Sequence, residues 1–65
     1  MKMLSDAKGR ELPYDEVWEI AHDNALNSGE GSGPALRAYI DSLTDEDLLQ
    51  WATDENGNFS DDLFD

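Results

Sequence analysis

The sequence predicts a small single-domain α+β fold: three short amphipathic helices packed with a short N-terminal β-hairpin, the C-terminal stretch returning as a strand or as an extended tail. Two short runs around a glycine near the start predict the hairpin. Three later stretches with apolar residues at three- and four-residue spacing predict the helices. Sixty-five residues with a hydrophobic share of 38% provide for one core and one domain, residues 1–65. That size is near the lower limit for a chain that folds without disulfides or metal.

The hairpin pairs "KMLSD" with "RELPY" around "AKG". Gly9 supplies the positive φ that a three-residue loop requires, and strands this short need helices against them to persist. The first helix is read in "LPYDEVWEIAHDNAL". Pro13 suits a first turn, and Asp15, Glu16 and Glu19 favour its positive end. Tyr14, Val17, Trp18, Ala21 and Ala25 make an apolar stripe that Ile20 and Leu26 widen. "NSGEGSGP" then breaks the pattern as a flexible loop. Pro34 opens the second helix, where Leu36, Tyr39, Ile40 and Leu43 fall at i, i+3, i+4 and i+7. Thr44 reads as the N-cap of the third, with Asp47 answering it in a capping-box manner and Leu43 stapling to Leu48. That helix runs to the neighbourhood of Thr53 and buries Leu48, Leu49, and Trp51 or Ala52.

Charge is the outlying feature. Sixteen acids face four bases, for a net charge of −12. Lys2, Lys8 and Arg10 crowd the start; beyond them Arg37 is the only base. Solubility asks for a net magnitude of only about 2–8, and a larger excess of one sign destabilises the compact state by self-repulsion. Such a field repels nucleic acid and anionic membranes and steers the chain toward a strongly basic partner. The absence of cysteine removes disulfides, thiolate metal ligands and a Cys nucleophile, and fits a reducing cytoplasm. "MKMLSD" lacks the apolar core of a signal peptide, and no stretch approaches the ~20 apolar residues of a membrane span.

Catalytic and cofactor chemistry finds little footing. In "SGEGSG" a phosphate cradle would need free N–H groups and a nearby base, but Glu30 sits in the loop and Pro34 opens the following helix; a linker is the simpler reading. His22, the only histidine, has Glu19 and Asp23 beside it and no Ser, Cys or second His at a useful spacing. It reads as a surface histidine, and the protein as a non-enzyme with no cofactor. The six aromatics read as core, because a platform for single-stranded nucleic acid needs bases between the rings.

The acidic close "DENGNFSDDLFD" invites comparison with a calcium loop, which wants D-x-[DN]-x-[DN]-G, an apolar residue two after the Gly and a bidentate Glu at position twelve. Asp54, Asn56, Asn58 and Asp65 fit positions one, three, five and twelve. Gly57, however, falls at position four where six is needed. Asn56-Gly57 is a strong turn dipeptide instead, after which Phe59 and Leu63 or Phe64 dock and the acids point outward.

Carboxylates at i and i+4 on a helix lie about 5–6 Å apart, and duplex DNA presents one charge per ~1.7 Å of axis. Asp15, Glu19 and Asp23 form such a row; Asp41, Asp45 and the C-terminal acids continue a second. The candidate partner-binding set is Asp15, Glu16, Glu19, Asp23, Asp41, Asp45, Glu46, Asp47, Asp54, Glu55, Asp61 and Asp62. By size, acidity, lack of Cys, and the segments "RELPYDEVWEIAHDNAL" and "SLTDEDLLQWATDENGNFSDDLFD", the chain resembles the small anti-CRISPR proteins of phages and mobile elements, and is similar to an acidic inhibitor of type I-C systems. These proteins share no common fold or site, so no residue role carries over. The resemblance implies a partner: a Cas subunit of a type I crRNA-guided complex in a bacterial cytoplasm, its DNA channel occupied by a monomeric DNA mimic. The residues themselves support the wider expectation of a basic nucleic-acid-binding protein, which an inhibitor or antitoxin of another such target would share; a calcium-binding module, with the acids as ligands, is the remaining alternative.

Overall fold

The structure, a computed structural model, describes residues 1–64. Asp65, which the calcium alignment placed at position twelve, lies outside the described residues. Strands β1 (Met3–Ser5) and β2 (Glu11–Pro13) pair antiparallel with Leu4 opposite Leu12. Helices α1 (Tyr14–Asn27), α2 (Gly33–Asp41) and α3 (Asp45–Ala52) follow, and a single 3-10 turn closes the described chain at Asp61–Phe64. The fold is therefore the small α+β arrangement that the sequence predicts, with one correction: the C-terminal segment is neither strand nor extended tail. "SDDLF" has no alternation of apolar and polar residues to sustain a strand face.

Period-two and period-3.6 patterning converge on one core. Leu4 and Leu12 point the same way from the hairpin and meet Val17, Ala21 and Ala25 of α1, Leu36 and Ile40 of α2, Leu48 and Ala52 of α3, and Phe59. Helix α1 is the hub, packing on both other helices and both strands. The small Ala21 and Ala25, both fully buried, let neighbouring backbones come close. Trp18, Ile20, Leu43, Leu49 and Trp51 pack half-buried around this centre.

Leu26 and Tyr39 depart from the expected stripes, at 44% and 43% exposed. At ~100° per residue Leu26 falls within the arc of Asp15 and Glu19, on the side of α1 away from Ala21 and Ala25. Leu63 and Phe64 are each 40% exposed, so Phe59, at 1%, is the C-terminal side chain that docks fully.

The helix ends follow their local chemistry. Thr44 Oγ1 accepts the Asp47 N–H at 3.2 Å, capping α3 as its sequence requires. Helix α1 ends where Gly29, at φ +79°, turns left-handed; the Gly29 N–H then reaches the Leu26 carbonyl and the Glu30 N–H the Ala25 carbonyl. The Asn24 amide donates to the Trp51 carbonyl at 2.7 Å, tying α1 to the end of α3.

"DENGN" folds as a tight turn. Asp54 Oδ1 accepts the N–H groups of Asn56 and Asn58, and the Asp54 N–H donates to the Asn58 carbonyl. Gly57 sits at φ +80°, and a Cβ there would meet that of Ala7 at 3.5 Å. The contact is tolerable, but the backbone conformation is not. Gly57→Ala is expected to cost about 1–2 kcal/mol from left-handed strain alone, measurable as a shift of the urea midpoint at unchanged slope.

Candidate acidic interface

Four exposed acids lie on α1: Asp15, Glu16, Glu19 and Asp23. At ~100° per residue they span about 100° of arc opposite the buried Val17–Ala21–Ala25 stripe. The same amphipathic period that buries one side of α1 therefore displays the acids on the other. None of Asp15, Glu16 and Glu19 has a side-chain ion pair or hydrogen bond among the described residues, and Asp23 has only a 3.8 Å approach to His22 Nδ1.

Packing of α2 against α1 adds Asp41 to this surface. Trp18, Glu19, His22, Asp23, Arg37 and Asp41 enclose an open cleft of about 480 Å³. Trp18, Glu19 and Asp41 also border the adjoining hollow, with Tyr14 and Asp15. The Trp18 Nε1–H donates to Asp41 Oδ1 at 2.7 Å, which fixes that carboxylate on the rim. Asp41 thus stands with the α1 row, where the sequence placed it in a second row with Asp45 and the C-terminal acids. Asp45 borders a further hollow beside Asp15, but its charge is met by Lys2 Nζ at 2.7 Å.

The remaining acids of the predicted set divide by what holds them. Asp54 is occupied by its own turn. Asp61 Oδ1 accepts from Arg10 Nη1 at 2.7 Å, and this ion pair holds the Asp61 carboxyl below its ordinary value. Glu46, Asp47, Glu55 and Asp62 are exposed and line none of these clefts. The structure therefore gathers Asp15, Glu16, Glu19, Asp23 and Asp41 and disperses the others.

One charged cluster was missed in the sequence. The side chain of Asp6 is wholly buried. Its Oδ1 accepts the N–H groups of Lys8 and Arg10 at 3.0 and 2.8 Å; its Oδ2 accepts the Phe59 N–H at 3.1 Å and Arg10 Nε–H at 3.0 Å. Burial pushes the Asp6 carboxyl up, but the backbone donors at Arg10 and Phe59 and the guanidinium outweigh it and hold it below the ordinary 3.8. Arg10 Nη2 donates in turn to the Phe59 carbonyl at 2.7 Å, and the guanidinium lies 4.6 Å from the centre of the Phe64 ring. This cluster joins the hairpin loop to the C-terminal segment. The signal available was the aspartate opening "DAKGR", a residue type that commonly accepts from the backbone two positions on.

Among the described residues no three His, Cys, Asp or Glu side chains converge as metal ligands, and no helix is long and apolar enough to cross a membrane. His22 stacks on Trp18 with ring centres 5.2 Å apart and planes 10° from parallel. The chain matches no protein-family model, no curated protein and no solved structure.

Proposed function

We propose that this protein is a non-enzymatic inhibitor whose acidic face occupies the basic DNA-binding site of a CRISPR–Cas surveillance complex, acting in the bacterial cytoplasm as a DNA mimic. The observation that carries the reading is the carboxylate row on α1, paired with no Lys or Arg among the described residues and widened by Asp41 from α2. A helix holds successive acids of such a row at about 5–6 Å, and a partner that neutralises phosphates with Lys and Arg meets comparable charge there. Lys2, Lys8 and Arg10 belong to the hairpin end, and two of them are engaged: Lys2 with Asp45, Arg10 with Asp6 and Asp61. None of the four bases pairs with the α1 row among the described residues, although Arg37 lines the cleft beside Glu19, Asp23 and Asp41.

An inhibitor or antitoxin of another basic nucleic-acid-binding protein would use the same row. The test is a competition titration: a purified type I effector complex, a labelled target duplex and the protein, at several salt concentrations. Displacement of DNA that weakens steeply as salt rises is the expected result. Binding to the complex that leaves DNA affinity unchanged would exclude mimicry.

A further inference from the structure

The chain holds four asparagines, followed in turn by Ala25, Ser28, Gly57 and Phe59. An asparagine is chemically labile when the next backbone nitrogen can reach its side-chain carbonyl carbon. Glycine, with no Cβ, crowds that approach least. The fold withholds three of the four. Asn24 lies within α1 with its amide on the Trp51 carbonyl. Asn27 ends α1, and the Ser28 N–H beyond it is held by the Asn24 carbonyl. Asn58 has a buried side-chain oxygen, and the Phe59 N–H beyond it is bound by the Asp6 carboxylate. Asn56 alone combines exposure, a side chain with no hydrogen bond among the described residues, and a following glycine.

One restraint opposes the reaction. The Gly57 N–H donates to the Asp54 carbonyl at 3.0 Å, so its nitrogen is free only while the turn is open. Asp54 keeps the turn closed, its Oδ1 accepting the N–H groups of Asn56 and Asn58 at 2.9 and 3.0 Å. An exposed tip held by so few bonds opens far more often than the core does.

We infer that Asn56–Gly57 is a self-modification site, converting to aspartate and isoaspartate at a rate gated by Asp54. With the turn open, Gly57 N gives up its proton to solvent and bonds to Asn56 Cγ. The Cγ–Nδ2 bond then breaks, and the amide nitrogen takes up a proton and leaves as ammonia, closing a cyclic imide. Water cleaves the imide in either of two ways. Cleavage at Cγ restores the ordinary peptide as aspartate; cleavage at the backbone carbonyl routes the chain through Cβ and Cγ as isoaspartate. Both products add a negative charge to the parent's −12. Isoaspartate also lengthens the backbone beside the Gly57 carbonyl, which receives the Ala7 N–H at 2.9 Å. It therefore loosens the join between the hairpin loop and the C-terminal segment.

The test incubates the intact protein at mildly alkaline pH, in buffer and in guanidinium chloride, beside Asp54→Ala in buffer. Peptide mapping by mass spectrometry follows each asparagine. Asn56 is expected to convert ahead of the other three in every sample, and more slowly in buffer than in denaturant. Asp54→Ala, lacking two of the hydrogen bonds that close the turn, should convert on the order of tenfold faster than the parent in buffer. The comparison of buffer with denaturant uses only the unaltered chain and decides the matter even if the variant folds poorly. Folded protein that keeps Asn56 intact while the denatured sample converts would overturn the inference. So would loss of Asn24, Asn27 or Asn58 in buffer at the rate of Asn56. Equal rates for the parent and a folded Asp54→Ala would remove Asp54 as the gate.

Discussion

Combining Asp15→Asn, Glu19→Gln and Asp23→Asn is expected to weaken displacement of DNA at least about tenfold while leaving the fold as stable as before or slightly more so. The two effects run in opposite directions because they have different causes. Toward a basic channel, the row supplies both steering and contact, and neutralising clustered charges lowers the rate of encounter as well as the lifetime of the complex. Within the protein, the pairs Asp15–Glu19 and Glu19–Asp23 are like charges at i, i+4, each costing the helix about 0.2–0.5 kcal/mol. Their removal also relieves part of the net charge of −12 and its self-repulsion. None of the three side chains is buried, so no core contact is lost. Competition titrations alongside thermal melts read both quantities. A well-folded triple variant that displaces DNA as well as the parent would sink the mimicry.

The largest effect on stability is expected from Asp6→Asn, a substitution that changes almost no volume. The buried Asp6 carboxylate accepts two N–H groups at Oδ1 and two more at Oδ2. An amide has one oxygen. Whichever way it is turned, its NH₂ faces two other donors, and the Arg10 guanidinium loses its buried counterion. Asp61→Asn serves as the comparison, since that side chain is 76% exposed and makes one contact with Arg10; screening by water keeps its contribution small.

The same carboxylate, together with Asp61, contributes stability that is lost in acid. Its pKa in the folded state lies below the ordinary 3.8, so the unfolded chain takes up a proton first as pH falls. The stabilisation is therefore complete above the unfolded value and is lost as pH drops from there through the folded one. Melts across an acid series should thus show stability maintained until the pH nears 4, then a fall that is shallower in Asp6→Asn. A collapse of equal steepness in both proteins would mean that Asp6 is not the group responsible.

The elements and four of the five acids of the proposed face were legible because they are local. Spacing of three and four put Val17, Ala21 and Ala25 inside and the Asp15 row outside in one stroke, and Thr44 with Asp47 marked a helix start without reference to anything distant. Gly9 and Gly57 each identified a turn for the same reason: the backbone conformation needs only one residue. What escaped the sequence was set by tertiary meeting. Asp41 joins the α1 row through the approach of α2, which no spacing within α2 reveals. Asp6 meets Phe59 across 53 positions and Arg10 meets Asp61 across 51, so composition alone assigned Asp61 to a solvent-facing patch. Leu26 was misread because it is apolar, although its angle on the helix places it with the acids.

The Asp6 cluster has a kinetic consequence. Three backbone amides, of Lys8, Arg10 and Phe59, all donate to the two oxygens of one carboxylate. None can be freed cleanly without disturbing what holds the others, so the hairpin loop and the segment around Phe59 open to solvent as one unit. Their amide hydrogens are expected to exchange with deuterium at a common, slow rate despite lying at opposite ends of the described chain. The shared Asp6 anion joins the two ends of the fold alongside the Arg10 contacts to Asp61 and the Phe59 carbonyl, and fraying at one end is felt at the other.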